Sequence, residues 1–185
     1  MRAAVCREYG GPDAVRVEEV PAPALGPGQV RVEVHAAAIN YPDVLIVANE
    51  YQIHLPLPLV PGSEFAGFVT EVAADVTSPT IGGRVFGSGL QGAFAEQIVT
   101  AAGAVQLVPD GIDFADAAAF GVAHRTAFHA LRSVAHLEPG EELVVLGAGG
   151  GVGLATVQLG ALLGASVTAV ACVSDRHSAT TFWPK

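Results

Sequence analysis

Between residues 29 and 35 the chain reads QVRVEVH, with Val30, Val32 and Val34 alternating against Arg31, Glu33 and His35. That period of two predicts a strand with one face in a core and the other in water. Runs of the same kind recur at RAAVCRE, AVRVEEV, FAGFVTEVA, RVFGS, AFAEQIV and AVQLVP, separated by PAPALGPG, PLPLVPGS and IGG. Turn residues at such spacing predict a β barrel or sandwich for the first part of the chain. Helix follows. FADAAAFGVAHRTAFHALRSVA is rich in Ala, with Asp110 or Asp113 as its cap, an expected break near Gly121, and Pro139 and Gly140 as its stop.

The texture changes again after residue 140, where ELVVLGA, GGGVG, LATVQLGALLGA and SVTAVACV follow one another. This order predicts a strand, a glycine turn, a helix and a second strand, the parallel βαβ crossover. No charged residue lies between Leu143 and Ser174, and a membrane helix needs only about 20 apolar residues. Seven glycines interrupt that stretch, however, and four of them cluster at 149, 150, 151 and 153. Two buried parallel strands around a helix explain the pattern better, and no membrane association is expected. The expected fold class is therefore α/β plus β: a β-rich domain over residues 1–120, then an incomplete α/β dinucleotide-binding domain over 121–185.

Charge narrows the possible partners. Nine Lys and Arg against eighteen Asp and Glu give a net charge of -9 over 185 residues. Such a surface repels phosphate backbones, so nucleic acid is excluded as an expected partner. Cys6 and Cys172 are too few for a disulfide framework or a multi-cysteine zinc site, and both read as small buried hydrophobes. The opening MRAAVCREYGG has no apolar run of signal-peptide length, which predicts a cytoplasmic, reducing location.

The sharpest chemistry lies in Gly147-Ala148-Gly149-Gly150-Gly151-Val152-Gly153. It is the dinucleotide fingerprint G-x-G-x-x-G with Ala148 in the first place, then Gly150 and Gly153, set after a strand and at the start of a helix. A helix N-terminus there offers N–H groups and a positive dipole end to a pyrophosphate. An acidic residue to grip the ribose of NADH is expected about 20 positions on, but Cys172 and Val173 occupy that neighbourhood. Ser174 and Arg176 follow, and both suit a 2′-phosphate, so NADPH is favoured as cofactor. Asp175 weighs against this, and Arg176 also reads as a solvated surface residue.

With these residues in place the chain resembles the zinc-independent quinone oxidoreductases, the ζ-crystallin-like group of the medium-chain dehydrogenase/reductase superfamily. The resemblance rests on MRAAVCREYGGPDAVRVEEVPAPALGPGQVRVEVHAAAIN, NYPDVL, LVPGSEFAGFVTEV, RTAFHAL and VLGAGGGVG, in that order, from Met1 to about Val173. It implies a GroES-like domain followed by a Rossmann-type domain, and NADPH-dependent hydride transfer to a small quinone or α,β-unsaturated carbonyl. It also implies that Asn40 and Tyr51 face the substrate, that Asn40 and Thr126 contact the nicotinamide half of the cofactor, and that Gly150, Gly151 and Val152 line its phosphates. Asn40 and Ser63 stand where the zinc enzymes of the superfamily have ligands, so no metal is expected.

Structural roles compete with these assignments. Asn40 before Pro42 is also a good helix cap, Asp43 a first-turn partner of the helix dipole, and Thr126 a plain helix residue. Glu64, between Gly62 and Gly67, could hold its turn through backbone hydrogen bonds. After Val173 the family pattern gives way to SDRHSATTFWPK, which predicts a cofactor domain cut short. Family members pair as homodimers through a sheet edge that would lie beyond Lys185. Two alternatives therefore stand beside the enzyme: a non-catalytic remnant, and a zinc-type alcohol dehydrogenase.

Overall fold

A computed structural model describes residues 1–172. Its packing divides the chain into two units, Met1–Gly121 and Val122 onward, with the division inside a helix. In the first unit, β1 (Arg2–Cys6) and β2 (Val15–Glu19) form an antiparallel ribbon. Five further strands are β3 (Gln29–Ala38), β4 (Glu64–Val72), β5 (Arg84–Ser88), β6 (Gln97–Ala101) and β7 (Val105–Leu107). They build one antiparallel sheet in the order β6-β3-β4-β5-β7. Each alternating run of the sequence has become a strand.

The alternation is realised in the core. Val30 and Val32 are buried together with Phe65, Val69, Val85, Ala93 and Ile98 on one face of the sheet. Ala66 points the other way and packs with Val108, Ala117 and Ala118, where α2 (Phe114–Phe128) docks. The central strand β4 is thus buried on both faces at its start, Glu64 through Gly67. A third cluster of Cys6, Ile46, Val47 and Leu59 forms around α1 (Tyr41–Val47).

Two readings of the sequence need correction. The helix does not break near Gly121: α2 runs through it to Phe128 and continues as a π-helical stretch, His129–Val134. A helical glycine costs only about 1 kcal/mol relative to alanine, and close packing holds this one in place. Asp113 is the cap, its Oδ1 accepting the Asp116 N–H at 2.8 Å. Cys6 is buried as expected, but Cys172 is exposed.

In the second unit β8 (Glu142–Leu146) pairs in parallel with β9 (Ser166–Val170), and α3 (Gly151–Leu162) connects them. This is the expected βαβ crossover. Gly160 lets α3 sit close to the strands, since a Cβ there would stand 2.5 Å from Leu143 Cδ2. No helix among the described residues is long and apolar enough to cross a membrane.

One contact sets the shape of the large sheet. The β3/β4 register slips between Val34 and Ala36, and at that slip a Cβ on Gly67 would overlap the Glu33 carbonyl oxygen. Backbone atoms on both sides leave no room to yield. Gly67→Ala is expected to cost about 3 kcal/mol or more in urea unfolding, on the scale of a large core truncation. An unchanged midpoint would contradict this account of the bulge.

Candidate functional site

The polar centre of the first unit forms where β3 ends and α1 begins. Asn40 adopts an extended backbone at the N-cap of α1 (φ -121, ψ 158), the usual conformation of an N-cap residue, and Pro42 suits the first turn that follows. Asp43 closes the turn, its Oδ2 accepting the Asn40 N–H at 2.7 Å. The Asn40 side chain reaches across to the start of β4, where Nδ2 donates to Glu64 Oε2 at 2.8 Å and approaches Ser63 Oγ at 3.5 Å. It forms no full capping bond to α1. Asn40 and Asp43 instead form a capping box, each side chain facing the other's backbone N–H, so the Asn40 side chain serves the cap while it also reaches Glu64.

Glu64 is only 1% exposed, so its carboxylate has given up nearly all contact with water. Burying a charge is tolerated only with hydrogen-bonding partners, and a bond to a charged acceptor contributes about 1.5–3 kcal/mol. The sequence suggested a backbone role for Glu64. The structure adds a side-chain bond to a residue 24 positions away. On the helix side Gly121 makes room, since a Cβ there would stand 2.6 Å from Glu64 Oε1. Two signals in the sequence could have led here: an acid at the head of the apolar run that opens β4, and a glycine inside a strong helix.

Asp43 is also buried, and among the described residues its Oδ1 has no hydrogen-bond partner. Burial pushes its carboxyl above the ordinary value, against the opposing pull of the Asn40 amide and of Ser63.

Tyr51 packs against the cluster of Cys6, Ile46, Val47 and Leu59 in the same unit. Thr126 lies on an exposed face of α2, in the second unit. The glycine turn also belongs to the second unit, while Ser174 and Arg176 lie outside the described residues.

The turn itself is built in two parts. Gly147 takes φ +73, and the Ala148 N–H ties it to the Val170 carbonyl at 3.0 Å, at the end of β9. Gly153 is required by the fold, because a Cβ there would overlap the Gly147 carbonyl oxygen. Gly150 and Gly151 are not so constrained. Gly150 has an ordinary extended backbone (φ -83, ψ 164), and an added Cβ would meet only the Gly147 oxygen at 3.6 Å. At Gly151 it would meet nothing among the described residues. The first intrahelical bond of α3 runs from Leu154 N–H to Gly150 O at 2.8 Å, so the helix leaves the N–H groups of Gly151, Val152 and Gly153 unpaired. Those three donors, with glycines in front of them, suit the pyrophosphate of a nicotinamide dinucleotide.

Among the described residues no group of three or more His, Cys, Asp or Glu is arranged to hold a metal ion. His124 Nε2 lies 3.3 Å from Gln158 Oε1.

The raised Asp43 carboxyl makes a testable prediction. Its contribution to stability is fully present below the ordinary aspartate value and is lost as pH rises through the higher folded-state value. In urea unfolding, the wild type is expected to lose stability relative to Asp43→Asn as pH rises from acid to neutral. A difference that stays constant, or that changes in favour of the wild type, would contradict it.

Comparison with known proteins agrees with this geometry. Residues 26–110 match the alcohol dehydrogenase GroES-like domain. A quinone oxidoreductase-like protein 2 homolog from Nematostella vectensis is 40% identical over 168 residues, which is 90% of this chain and 46% of that protein. Human synaptic vesicle membrane protein VAT-1 homolog-like protein superposes with a TM-score of 0.91 at 32% identity, covering 96% of this chain and 58% of the other. The quinone oxidoreductase of Thermus thermophilus, described also in complex with NADPH, gives 0.82 at 33% identity, covering 92% and 53%. The chain thus spans about half the length of the relatives it matches. Its β-rich unit is a GroES-like domain and its βαβ unit the front of a Rossmann-type domain. Over most of its length the chain is therefore similar to quinone oxidoreductase-like proteins, a likeness that takes in its GroES-like domain and the front of its Rossmann-type domain.

Proposed function

We propose that the chain binds NADPH through its glycine turn and serves hydride transfer to a small quinone or α,β-unsaturated carbonyl. The observation that carries the reading is the pair Gly150 and Gly151. Gly150 also suits the N-cap of α3, but a Cβ at Gly151 would meet nothing among the described residues, so its lack of a side chain is explained by a ligand that comes close to the backbone. NADPH, when bound, supplies the hydride. The N–H groups of Gly151, Val152 and Gly153 hold its phosphates, helped by the positive end of α3.

Among the remaining residues, Thr126 and Asn40 contact the nicotinamide half, and Tyr51 donates a hydrogen bond to the acceptor oxygen. Ser174 and Arg176 hold the 2′-phosphate. The reaction needs no metal: where zinc relatives have ligands this chain has Asn40 and Ser63, an amide and a hydroxyl already engaged around Glu64. Hydrogen bonds suffice because a quinone or enone accepts hydride readily once its oxygen is polarised.

Paired glycine substitutions separate ligand from fold. Gly150→Ala is expected to cost no more than about 1 kcal/mol of thermal stability, the scale of a weakened helix cap. It should weaken NADPH binding at least about tenfold in a fluorescence titration, because its methyl intrudes on the phosphates. Gly153→Ala should damage both binding and stability. Equal NADPH affinity in Gly150→Ala and wild type would overturn the assignment. NADPH binding without quinone-dependent loss of NADPH absorbance would leave a binding module and refute the enzyme.

A further inference from the structure

The polar centre at Asn40 has more order than a helix cap needs. Glu64 is buried at the start of the central strand, and of the two ends of the Asn40 amide it can accept only from the nitrogen. Turning the amide over would bring two oxygens together in a site from which water is excluded. The charged acceptor therefore fixes which end of Asn40 faces inward. Nδ2 points to Glu64 and Ser63, which leaves Oδ1 as the accepting end of the amide, turned toward the Asp43 N–H in a capping box but short of a full hydrogen bond to it.

Two neighbours hold this arrangement in place. Asp43 clamps the Asn40 backbone from α1 at 2.7 Å, so the side chain starts from a fixed point. Gly121 in α2 stands against the other carboxylate oxygen, so closely that any side chain there would displace Glu64. Strand, turn and helix thus converge on one amide.

We infer that Glu64, seated against Gly121, is a positioning residue that makes Asn40 a hydrogen-bond acceptor toward its ligand. This rests on the proposed NADPH site and changes the part Asn40 plays in it. An acceptor cannot polarise a quinone oxygen. It recognises a donor, and the nicotinamide half of the cofactor carries donors in its ribose hydroxyls and its carboxamide N–H. Asn40 then orients the cofactor, and polarising the substrate oxygen falls to another group.

Two measurements test this on the chain. In proton-nitrogen NMR spectra the Asn40 side-chain amide, identified by its loss in Asn40→Leu, should have one proton shifted downfield by the carboxylate. Glu64→Gln keeps the size of the side chain but allows either amide orientation, and Gly121→Ala displaces the carboxylate without changing it. Both should return that proton to the range of a free amide. In NADPH titrations Glu64→Gln should weaken binding about tenfold, the scale of one misplaced hydrogen bond, and this loss should vanish when Asn40 is already leucine. An Asn40 amide unmoved by Glu64→Gln would overturn the positioning role, as would losses that simply add in the double variant. Failure of the wild type to bind NADPH would instead refute the cofactor reading, and the spectra would still decide whether Glu64 orients Asn40.

Discussion

Burial of a single carboxylate organises the first unit. Glu64 opens β4, the strand that is covered on both faces at its start, so no rotamer takes its charge to open water. An uncompensated charge there would cost more than the few kcal/mol by which a domain of this size is stable. Its solvation has to come from the protein, and Asn40, brought in by the β3–α1 turn, supplies part of it. Gly121 supplies room. Elements far apart in sequence are held in register by this one group, because each must be correctly placed for the carboxylate to be tolerated. Removing a partner from such a network is expected to be more damaging than replacing the whole of it with apolar residues.

The second unit solves a different problem with the same economy of side chains. Its glycines fall into two classes that the fingerprint alone does not distinguish. Gly153 and Gly160 let α3 lie against the turn and the strands, and an added methyl would collide at either position. Gly150 and Gly151 face open space, where alanine would fit and would lower the entropy of the unfolded chain. Gly150 is also the N-cap of α3, a place that prefers glycine to alanine, but at Gly151 stability alone would favour alanine. Glycine there is accounted for by what comes to the backbone from outside, and the unpaired N–H groups behind it make an anion the natural visitor.

Much of this could be read in the sequence. Strands followed from two-residue alternation, and QVRVEVH became part of β3 with Val30 and Val32 in the core. The βαβ unit followed from an uncharged run broken by clustered glycines, although β8 and β9, expected to be buried, are largely exposed among the described residues. Long-range chemistry was less legible. Only the resemblance, which set Asn40 and Ser63 at one site, linked the neighbourhood of Glu64 to Asn40, because the pair depends on how β3 and β4 are aligned across a bulge. Gly121 looked like a helix breaker because propensity is local, whereas the reason for it is a carboxylate 57 positions earlier in the chain. Cys172 looked buried because it follows an apolar strand, yet it is exposed.

In the proposed site the amide groups at the start of α3 hold the phosphates of NADPH. Hydrogen exchange of individual backbone amides, with and without NADPH, addresses it at the atoms concerned. The account predicts slower exchange on binding at Gly151, Val152 and Gly153, whose N–H groups the helix leaves unpaired. Exchange at those three amides that is unchanged by saturating NADPH would contradict it.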